Sequence, residues 1–429
     1  MKKWIRFLSL TLLTAFASCS STATTDTTDT TTTGSSMQSL ASCEASTSGT
    51  ICGSLLAPDG TTPLANAEIT VQSSSGAASL RMLRGQGELV ASESGCLSDA
   101  TGAFACVCNA TGGDLTFSVN SALVDFEFTS DCSADTVTNV EASLTTAAAT
   151  DSGQLAVITG DYDKVESILA NMLGCGTLDA DGDLDFGTEC SRLHIFDGGA
   201  RISADDQDPN NGDTTYRTAS DLLTNADLMD DYAVILLNCG LDESLTVDDT
   251  VLTNLQNFVN NGGKIYASDW AYRYLEHAFP ALIDFYGDLS TDGLGETIEA
   301  DSARAGASGT VTVNVEDASV LTYLRENSII GAADTTADVD FDLSSWVVMS
   351  DAAESVTQLL TADALTDPAD AVLAGNTTLP IATLSCDDTA GGGIFYASYH
   401  TEISSASDAD TAQEAILRYM ILNGFNACL

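Results

Sequence analysis

The sequence predicts a multidomain protein in which a small all-β sandwich precedes an α/β domain with a parallel sheet. Between residues 50 and 144, short apolar alternations are broken by Gly, Pro, Asp and Asn, which is typical of short strands joined by tight turns. After residue 150, buried strands alternate with amphipathic helices, and this alternation favours a parallel sheet covered on both faces. The length of 429 residues accommodates both domains.

Residues 1–18 have the organisation of an export signal. Basic residues begin the segment, an apolar stretch follows, and small residues stand directly before Cys19. This pattern resembles the lipobox of bacterial lipoproteins, and the resemblance implies that Cys19 is lipidated and becomes the first residue of the mature chain. Because Ser20 follows, the resemblance also implies an outer-membrane lipoprotein, periplasmic or surface-exposed. An ordinary secretory peptide and an uncleaved anchor are the alternatives.

The composition restricts the partners of the mature chain. Residues 19–44 consist largely of Ser, Thr, Ala and Asp, which predicts a disordered tether. The formal net charge is −48, and it becomes −51 when a leader with three basic and no acidic residues is removed. Nucleic acids and anionic lipids are bound through clustered Lys and Arg, so nucleic acid is excluded as a partner. We therefore predict membrane attachment through the lipid, with a glycan, a peptide or an envelope protein as ligand.

Twelve cysteines in an exported chain predict disulfide bonds. Apart from Cys19, six cysteines lie before residue 150 and five lie after it. The first six can close three bridges, in pairings that the sequence does not distinguish. The other five leave one thiol over. Cys239 ends the apolar run at residues 233–237 and is the predicted free thiol, buried as a small hydrophobic side chain.

Residues 45–148 are predicted to form the sandwich. Residues 98–104 make a tight turn into a core strand, and Gly and Pro set an earlier turn. These pieces resemble the carboxypeptidase regulatory-like, transthyretin-type domain, which implies a non-catalytic spacer or stabiliser. Phe104, Cys106 and Cys108 alternate onto one face of the strand, so we expect a disulfide cross-link inside this domain.

Residues 149–429 are predicted to form the α/β domain. A helix stops at Asn261-Gly262-Gly263, a glycine C-cap that leads directly into the strand at residues 264–268. An acidic loop at residues 174–213 and an insertion with its own strands at residues 288–350 interrupt the domain. Further strands and helices are expected at residues 155–160, 165–172, 193–196, 232–237, 251–259, 270–278 and 408–423.

The segment at residues 391–402, GGGIFYASYHTE, resembles the strand and His-x-Glu pair that close the active site of class I glutamine amidotransferase-like domains. The resemblance implies a flavodoxin-like sheet and a cysteine nucleophile at a strand-to-helix elbow, activated by a histidine that an acidic residue orients. His400 and Glu402 correspond to the histidine and the acid. Thr401 stands between them where the family has proline, and the elbow cysteine corresponds to Asp269.

Asp269 determines the functional prediction. A carboxylate is a nucleophile in some hydrolases, but it cannot form the thioester that glutamine hydrolysis uses. Cys239 follows the strand before the elbow strand, so it does not take the place of the elbow cysteine. We therefore predict a non-catalytic binding or scaffold module without a cofactor, in which Asp269, His400 and Glu402 are vestigial. In this interpretation, His400 bonds to Asp269 or the backbone and Asp269 caps the following helix. The alternative is a hydrolase of an envelope polymer or glycan that uses these three residues.

The acidic loop is a second candidate site. Carboxylates occupy every other position of a glycine-containing segment, at Asp179, Asp181, Asp183 and Asp185. This spacing resembles dockerin or thrombospondin type 3 repeats and favours calcium, which prefers several oxygen ligands. A calcium-stiffened structural surface protein is therefore a further alternative, and a chance run in an acidic chain is the other interpretation. Cys175 and Cys190 flank the loop, so we expect a disulfide between them.

Overall fold

The computed structural model describes most of the chain after residue 48. The described residues are 49–72, 95–107, 111–120, 125–133, 137–143, 154–178, 183–187, 189–199, 201–202, 206–212, 214–241, 247–286, 303–362, 378–387, 391–401 and 411–428. The predicted leader, Cys19 and the whole predicted tether lie outside them, as does Glu402. Among the described residues, no helix is long and apolar enough to cross a membrane.

Seven strands among the described residues between 49 and 143 form two sheets. The strands are β1 (Thr50–Leu56), β2 (Glu68–Gln72), β3 (Gly95–Leu97), β4 (Ala103–Val107), β5 (Thr111–Asn120), β6 (Asp125–Ser133) and β7 (Val137–Ser143). One sheet has the order β4-β1-β7 and the other the order β3-β2-β5-β6. Ile51, Ile69, Phe104 and Phe117 from both sheets are buried in one core, as the apolar alternation of the sequence predicts.

A disulfide between Cys96 and Cys106 joins the two sheets. Cys96 lies on β3 and Cys106 on β4, where Phe104 and Cys106 are buried while Ala105 is exposed. The predicted cross-link inside this domain is therefore confirmed for Cys106. Cys108, which the alternation predicts on the same face, lies outside the described residues.

A nine-stranded sheet dominates the rest of the chain. Its strands are β8 (Gln154–Ile158), β9 (Leu193–Phe196), β12 (Tyr232–Leu237), β13 (Lys264–Ser268), β15 (Gly309–Val315), β16 (Thr336–Phe341), β18 (Val356–Ala362), β19 (Leu379–Cys386) and β20 (Gly393–Ala397). Four short strands form two separate pairs, β10 (Gln207–Asp208) with β11 (Thr214–Thr215) and β14 (Ile283–Phe285) with β17 (Met349–Ala352). The order in the large sheet is β16-β15-β18-β19-β20-β13-β12-β8-β9.

The five strands from β20 to β9 run parallel to one another. If these five strands are numbered by their order along the chain, their spatial order from β9 to β20 is second, first, third, fourth, fifth. The remaining four strands extend the sheet in antiparallel fashion. Within the predicted insertion at residues 288–350, strands are present, and β15 and β16 belong to this main sheet.

Seven helices lie among the described residues, of which the first five fall between parallel strands, the sixth between β15 and β16, and the last after β20. They are α1 (Val165–Met172), α2 (Ala219–Leu223), α3 (Ala226–Met229), α4 (Asp249–Asn260), α5 (Tyr272–Ala278), α6 (Ala318–Glu326) and α7 (Ala412–Leu422), with 3₁₀ turns at Pro209–Asn211, Asp269–Ala271 and Gly424–Cys428. The predicted apolar stripe of α1 is buried. The side chain of Asp248 caps α4, and Gly262, at φ +98°, lets the chain turn from α4 into β13, as the glycine pair predicts.

A buried arginine links the sandwich to the last helix. Arg418 on α7 donates to Glu414 (2.7 Å), to Asp59 (3.2 Å) and to the hydroxyl of Thr62 (3.1 Å). Asp59 and Thr62 belong to the turn after β1. The side chains of Arg418, Asp59 and Glu414 are each no more than 6% exposed, so this ion pair is shielded from solvent and contributes to the contact between the two parts of the chain.

Candidate functional site

Three neighbouring parallel strands end at the same edge of the sheet and bring three reactive side chains together. Cys239 follows β12, Asp269 follows β13 and His400 follows β20. The carboxyl ends of parallel strands are where α/β proteins bind ligands, because the connecting loops diverge there. Among the described residues, these three form a group whose sulfur, oxygen and nitrogen atoms all lie within 4.8 Å of one another.

Asp269 lies at a strand-to-helix elbow with an unusual backbone. Its φ is +39°, which is uncommon for a residue other than glycine and is held in place by surrounding contacts. Its Oδ1 accepts a hydrogen bond from the amide of Val347 (2.6 Å), and its carbonyl accepts one from the hydroxyl of Tyr396 (3.0 Å). The predicted helix cap is wrong, because Ser268 holds the N-cap position of the turn that follows and the carboxylate of Asp269 bonds to Val347 in another loop.

His400 lies between two carboxylates. Its Nε2 is 2.8 Å from Asp269 Oδ2, and its Nδ1 is 3.2 Å from Asp342 Oδ1. The imidazole also stacks on the ring of Tyr162, with centroids 5.9 Å apart. Burial alone would lower the pKa of His400, but the hydrogen bond to Asp269 and the nearby carboxylates of Asp163 and Asp342 outweigh burial and raise the pKa to about 9. The imidazole is therefore protonated at neutral pH in this arrangement.

Cys239 is a free cysteine, as predicted, and it is fully buried. The interpretation as a purely hydrophobic side chain is wrong, because its thiol lies 3.3 Å from Asp269 Oδ2 and 3.1 Å from His400 Nε2. Burial raises the pKa of the Cys239 thiol well above its ordinary value, and the carboxylates of Asp269 and Asp163 raise it further. The sulfur is therefore a neutral thiol at neutral pH, which is the less nucleophilic form.

Asp163, which no motif in the sequence marks, connects the loops at this edge. It lies between β8 and α1 and is fully buried. Its Oδ1 accepts from the amide of Thr401 (2.7 Å), and its Oδ2 accepts from the amide of Cys239 (2.9 Å) and from the hydroxyl of Ser268. One carboxylate thus joins the ends of four neighbouring strands, β8, β12, β13 and β20.

A second buried carboxylate lies beside this group. Glu166 on α1 pairs with the guanidinium of Arg201 and accepts a hydrogen bond from the side-chain amide nitrogen, Nδ2, of Asn238 (3.0 Å). Burial raises the pKa of Glu166, and the charge of Arg201 offsets part of that rise. Arg201 also donates to the backbone carbonyl of Asp163 (2.6 Å), so the same guanidinium contacts both acidic residues.

Aromatic residues surround the three reactive side chains. The ring of Tyr162 contacts Trp270 edge to face at 5.4 Å, and the guanidinium of Arg304 lies 3.8 Å above the Trp270 ring. Asp269 is 1% exposed and His400 is 8% exposed. A cavity of about 270 Å³ lies beside Asp185, away from these three side chains. The side chains at the elbow are packed against one another.

The described part of the acidic loop forms contacts within the protein. Asp183 pairs with Lys164 (2.9 Å), and the carboxylate of Asp185 accepts a hydrogen bond from the amide of Gly187 (2.9 Å). Asp179 and Asp181 lie outside the described residues, so calcium at this loop stays a prediction. The predicted disulfide between Cys175 and Cys190, which flank the loop, is confirmed.

No family model and no curated protein matches this chain. A protein described as a GMP synthase component from Thermoplasma acidophilum is similar, with a TM-score of 0.32 and 11% identity over 64% of this chain and 94% of that one. A ThuA-like protein from Bacteroides uniformis has a TM-score of 0.29 and 14% identity over 51% of this chain and 83% of that one. A cytoplasmic protein from Salmonella typhimurium has a TM-score of 0.30 and 9% identity over 62% and 97%. Similarities at this level carry no argument about activity.

Proposed function

We propose that this chain is an outer-membrane lipoprotein whose α/β part is a non-catalytic binding or scaffold module for a glycan, a peptide or another envelope protein. One observation carries the proposal. The residue at the elbow, Asp269, is an almost fully buried carboxylate with contacts to both of its oxygens. In an active amidotransferase-like site, this position presents an exposed nucleophile to the substrate.

The strand order supports an amidotransferase-like, flavodoxin-like domain as part of this proposal. The order second, first, third, fourth, fifth is the one found in flavodoxin-like sheets. Asp269 lies at the elbow after β13, and His400 follows the neighbouring strand β20, which are the places that the resemblance implies for the nucleophile and the histidine. The two-sheet arrangement of β1 to β7 likewise supports a carboxypeptidase regulatory-like spacer in front of this domain.

The chemistry of the group also supports a non-catalytic role. Cys239 holds its proton because burial and two carboxylates oppose the thiolate. Asp269 Oδ2 already contacts both His400 and Cys239, so a nucleophilic attack would have to break these contacts first. The alternative, a hydrolase of an envelope polymer, is favoured by one observation, namely that His400 Nδ1 contacts the carboxylate of Asp342, as the histidine of a catalytic triad contacts its acid.

A degradation assay separates the two functions. We expect the purified protein, incubated with insoluble peptidoglycan sacculi, to release no more soluble fragments than its His400→Gln variant. We also expect no ammonia release from glutamine and no mass increase after treatment with a glutamine-like diazoketone, because neither Asp269 nor Cys239 is presented as a nucleophile. Fragment or ammonia release by the wild type that disappears in His400→Gln would establish the hydrolase instead.

Replacing Cys19 by Ala tests the membrane attachment. We expect the full-length wild-type precursor, expressed in a bacterium, to incorporate labelled palmitate and to sediment with outer membranes. Cys19→Ala is expected to lose the label, since the lipid requires the cysteine sulfur. Ser20→Asp is the matched control, and it is expected to keep the label while changing the membrane fraction. Equal palmitate labelling of wild type and Cys19→Ala would refute lipidation at this residue.

A further inference from the structure

We propose that Cys239, Asp269 and His400 bind a divalent transition-metal ion at the carboxyl edge of the parallel sheet, with zinc as the ion that best matches one sulfur, one oxygen and one nitrogen donor. The positions of these three side chains define the metal site, and the site does not depend on which ligand the module binds. It is separate from the acidic loop, whose oxygen donors suit calcium.

The spacing of the three donor atoms fits one ion. The distances are 2.8 Å between His400 Nε2 and Asp269 Oδ2, 3.1 Å between Nε2 and Cys239 Sγ, and 3.3 Å between Sγ and Oδ2. Tetrahedral zinc with ordinary bond lengths separates such atoms by about 3.4 to 3.6 Å. Each distance would therefore lengthen by only about 0.3 to 0.6 Å. The ion would lie above the plane of the three donor atoms. A water or ligand atom would complete its tetrahedral coordination as the fourth donor.

Each donor is already oriented by a partner outside the group. His400 Nδ1 contacts Asp342 Oδ1, the carboxylate partner that commonly fixes a histidine ligand. Asp269 Oδ1 accepts from the Val347 amide and leaves Oδ2 facing the other donors. The backbone amide of Cys239 donates to Asp163 Oδ2, which fixes the loop that carries the sulfur. This second layer of contacts is what metal sites require beyond their ligands.

The charges favour a cation at this place. The thiol of Cys239 lies beside two buried carboxylates, those of Asp163 and Asp269. A divalent ion bound by a thiolate, a carboxylate and a neutral imidazole makes a site with no net charge, which lowers the cost of burial. Binding replaces the thiol proton and the proton on His400 Nε2, and both protons leave to solvent. The Nδ1 proton stays in the contact with Asp342.

Cobalt titration tests the proposal directly. The mature protein, with its disulfides intact, is titrated with Co²⁺ in millimolar Ca²⁺, which saturates carboxylate sites that bind hard cations. We expect one equivalent of Co²⁺ to bind with a sulfur-to-metal charge-transfer absorption, and stoichiometric Zn²⁺ to remove that absorption. Cys239→Ala and His400→Gln are expected to abolish it, because each removes one ligand.

Two control variants distinguish this site from the rest of the acidic chain. His194→Gln removes a histidine that contacts Tyr232, and Asp185→Asn alters the acidic loop. Both are expected to retain the full cobalt spectrum. A wild-type protein without the charge-transfer band would overturn the proposal, as would a band that survives in Cys239→Ala. Circular dichroism verifies the folding of each variant, and if Cys239→Ala does not fold, His400→Gln and the wild-type spectrum decide.

Discussion

Replacing Arg418 by Met is expected to lower the free energy of unfolding by about 3–5 kcal/mol, because the change leaves buried carboxylates without their cation. Asp59 and Glu414 both contact the guanidinium, and their side chains are 6% and 5% exposed. Methionine fills much of the volume but supplies neither charge nor donors. The loss is therefore electrostatic in origin, and it also weakens the contact between the sandwich and α7.

Denaturant unfolding monitored by circular dichroism measures the effect of this substitution. The control is Arg325→Met, which removes an exposed hydrogen bond from Arg325 to the carbonyl of Asp334 and is expected to cost less than about 1 kcal/mol. A triple variant that combines Arg418→Met with Asp59→Asn and Glu414→Gln is expected to recover part of the loss, since it removes the unpaired charges. Equal stabilities of Arg418→Met and Arg325→Met would contradict this account.

Local patterns in the sequence were sufficient to predict the strands and the elbow. The apolar run at residues 232–237 and the glycine pair before Lys264 predicted β12 and β13, and both strands are present. A strand followed at once by a helix placed Asp269 at the elbow, and GGGIFYASYHTE placed His400 after the last parallel strand. These features are readable because each depends on residues that are neighbours along the chain.

The partners of these residues were not predictable, because they come from distant parts of the chain. Asp342 is 58 positions from His400, and Val347 is 78 positions from Asp269. The contact of Cys239 with Asp269 depends on β12 and β13 being neighbours, a fact about sheet order that periodicity does not contain. Asp163 is a single aspartate with no motif around it. Its role as a shared acceptor becomes visible only when the fold brings the four strand ends together.

Replacing Asp163 by Ala is expected to lower the free energy of unfolding by about 2–6 kcal/mol, because it leaves two buried donors without their acceptor. They are the amide of Thr401 and the hydroxyl of Ser268. The amide of Cys239 keeps only its bond to the hydroxyl oxygen of Ser268 (3.0 Å). Asp163→Asn keeps one carbonyl acceptor and is expected to lose less. Asp161→Ala, at an exposed aspartate two positions earlier, is the control and is expected to change stability by less than about 1 kcal/mol.

Denaturant unfolding of the Asp163 variants, with cobalt titration of the folded Asn variant, separates two roles of this carboxylate. If Asp163 only stabilises the fold, then Asp163→Asn loses stability but binds Co²⁺ as the wild type does. If it also positions Cys239, the Asn variant loses cobalt affinity, because the amide of Cys239 is no longer held at 2.9 Å. We expect the second result. Equal stabilities of Asp163→Ala and Asp161→Ala would show that the strand ends do not depend on this carboxylate.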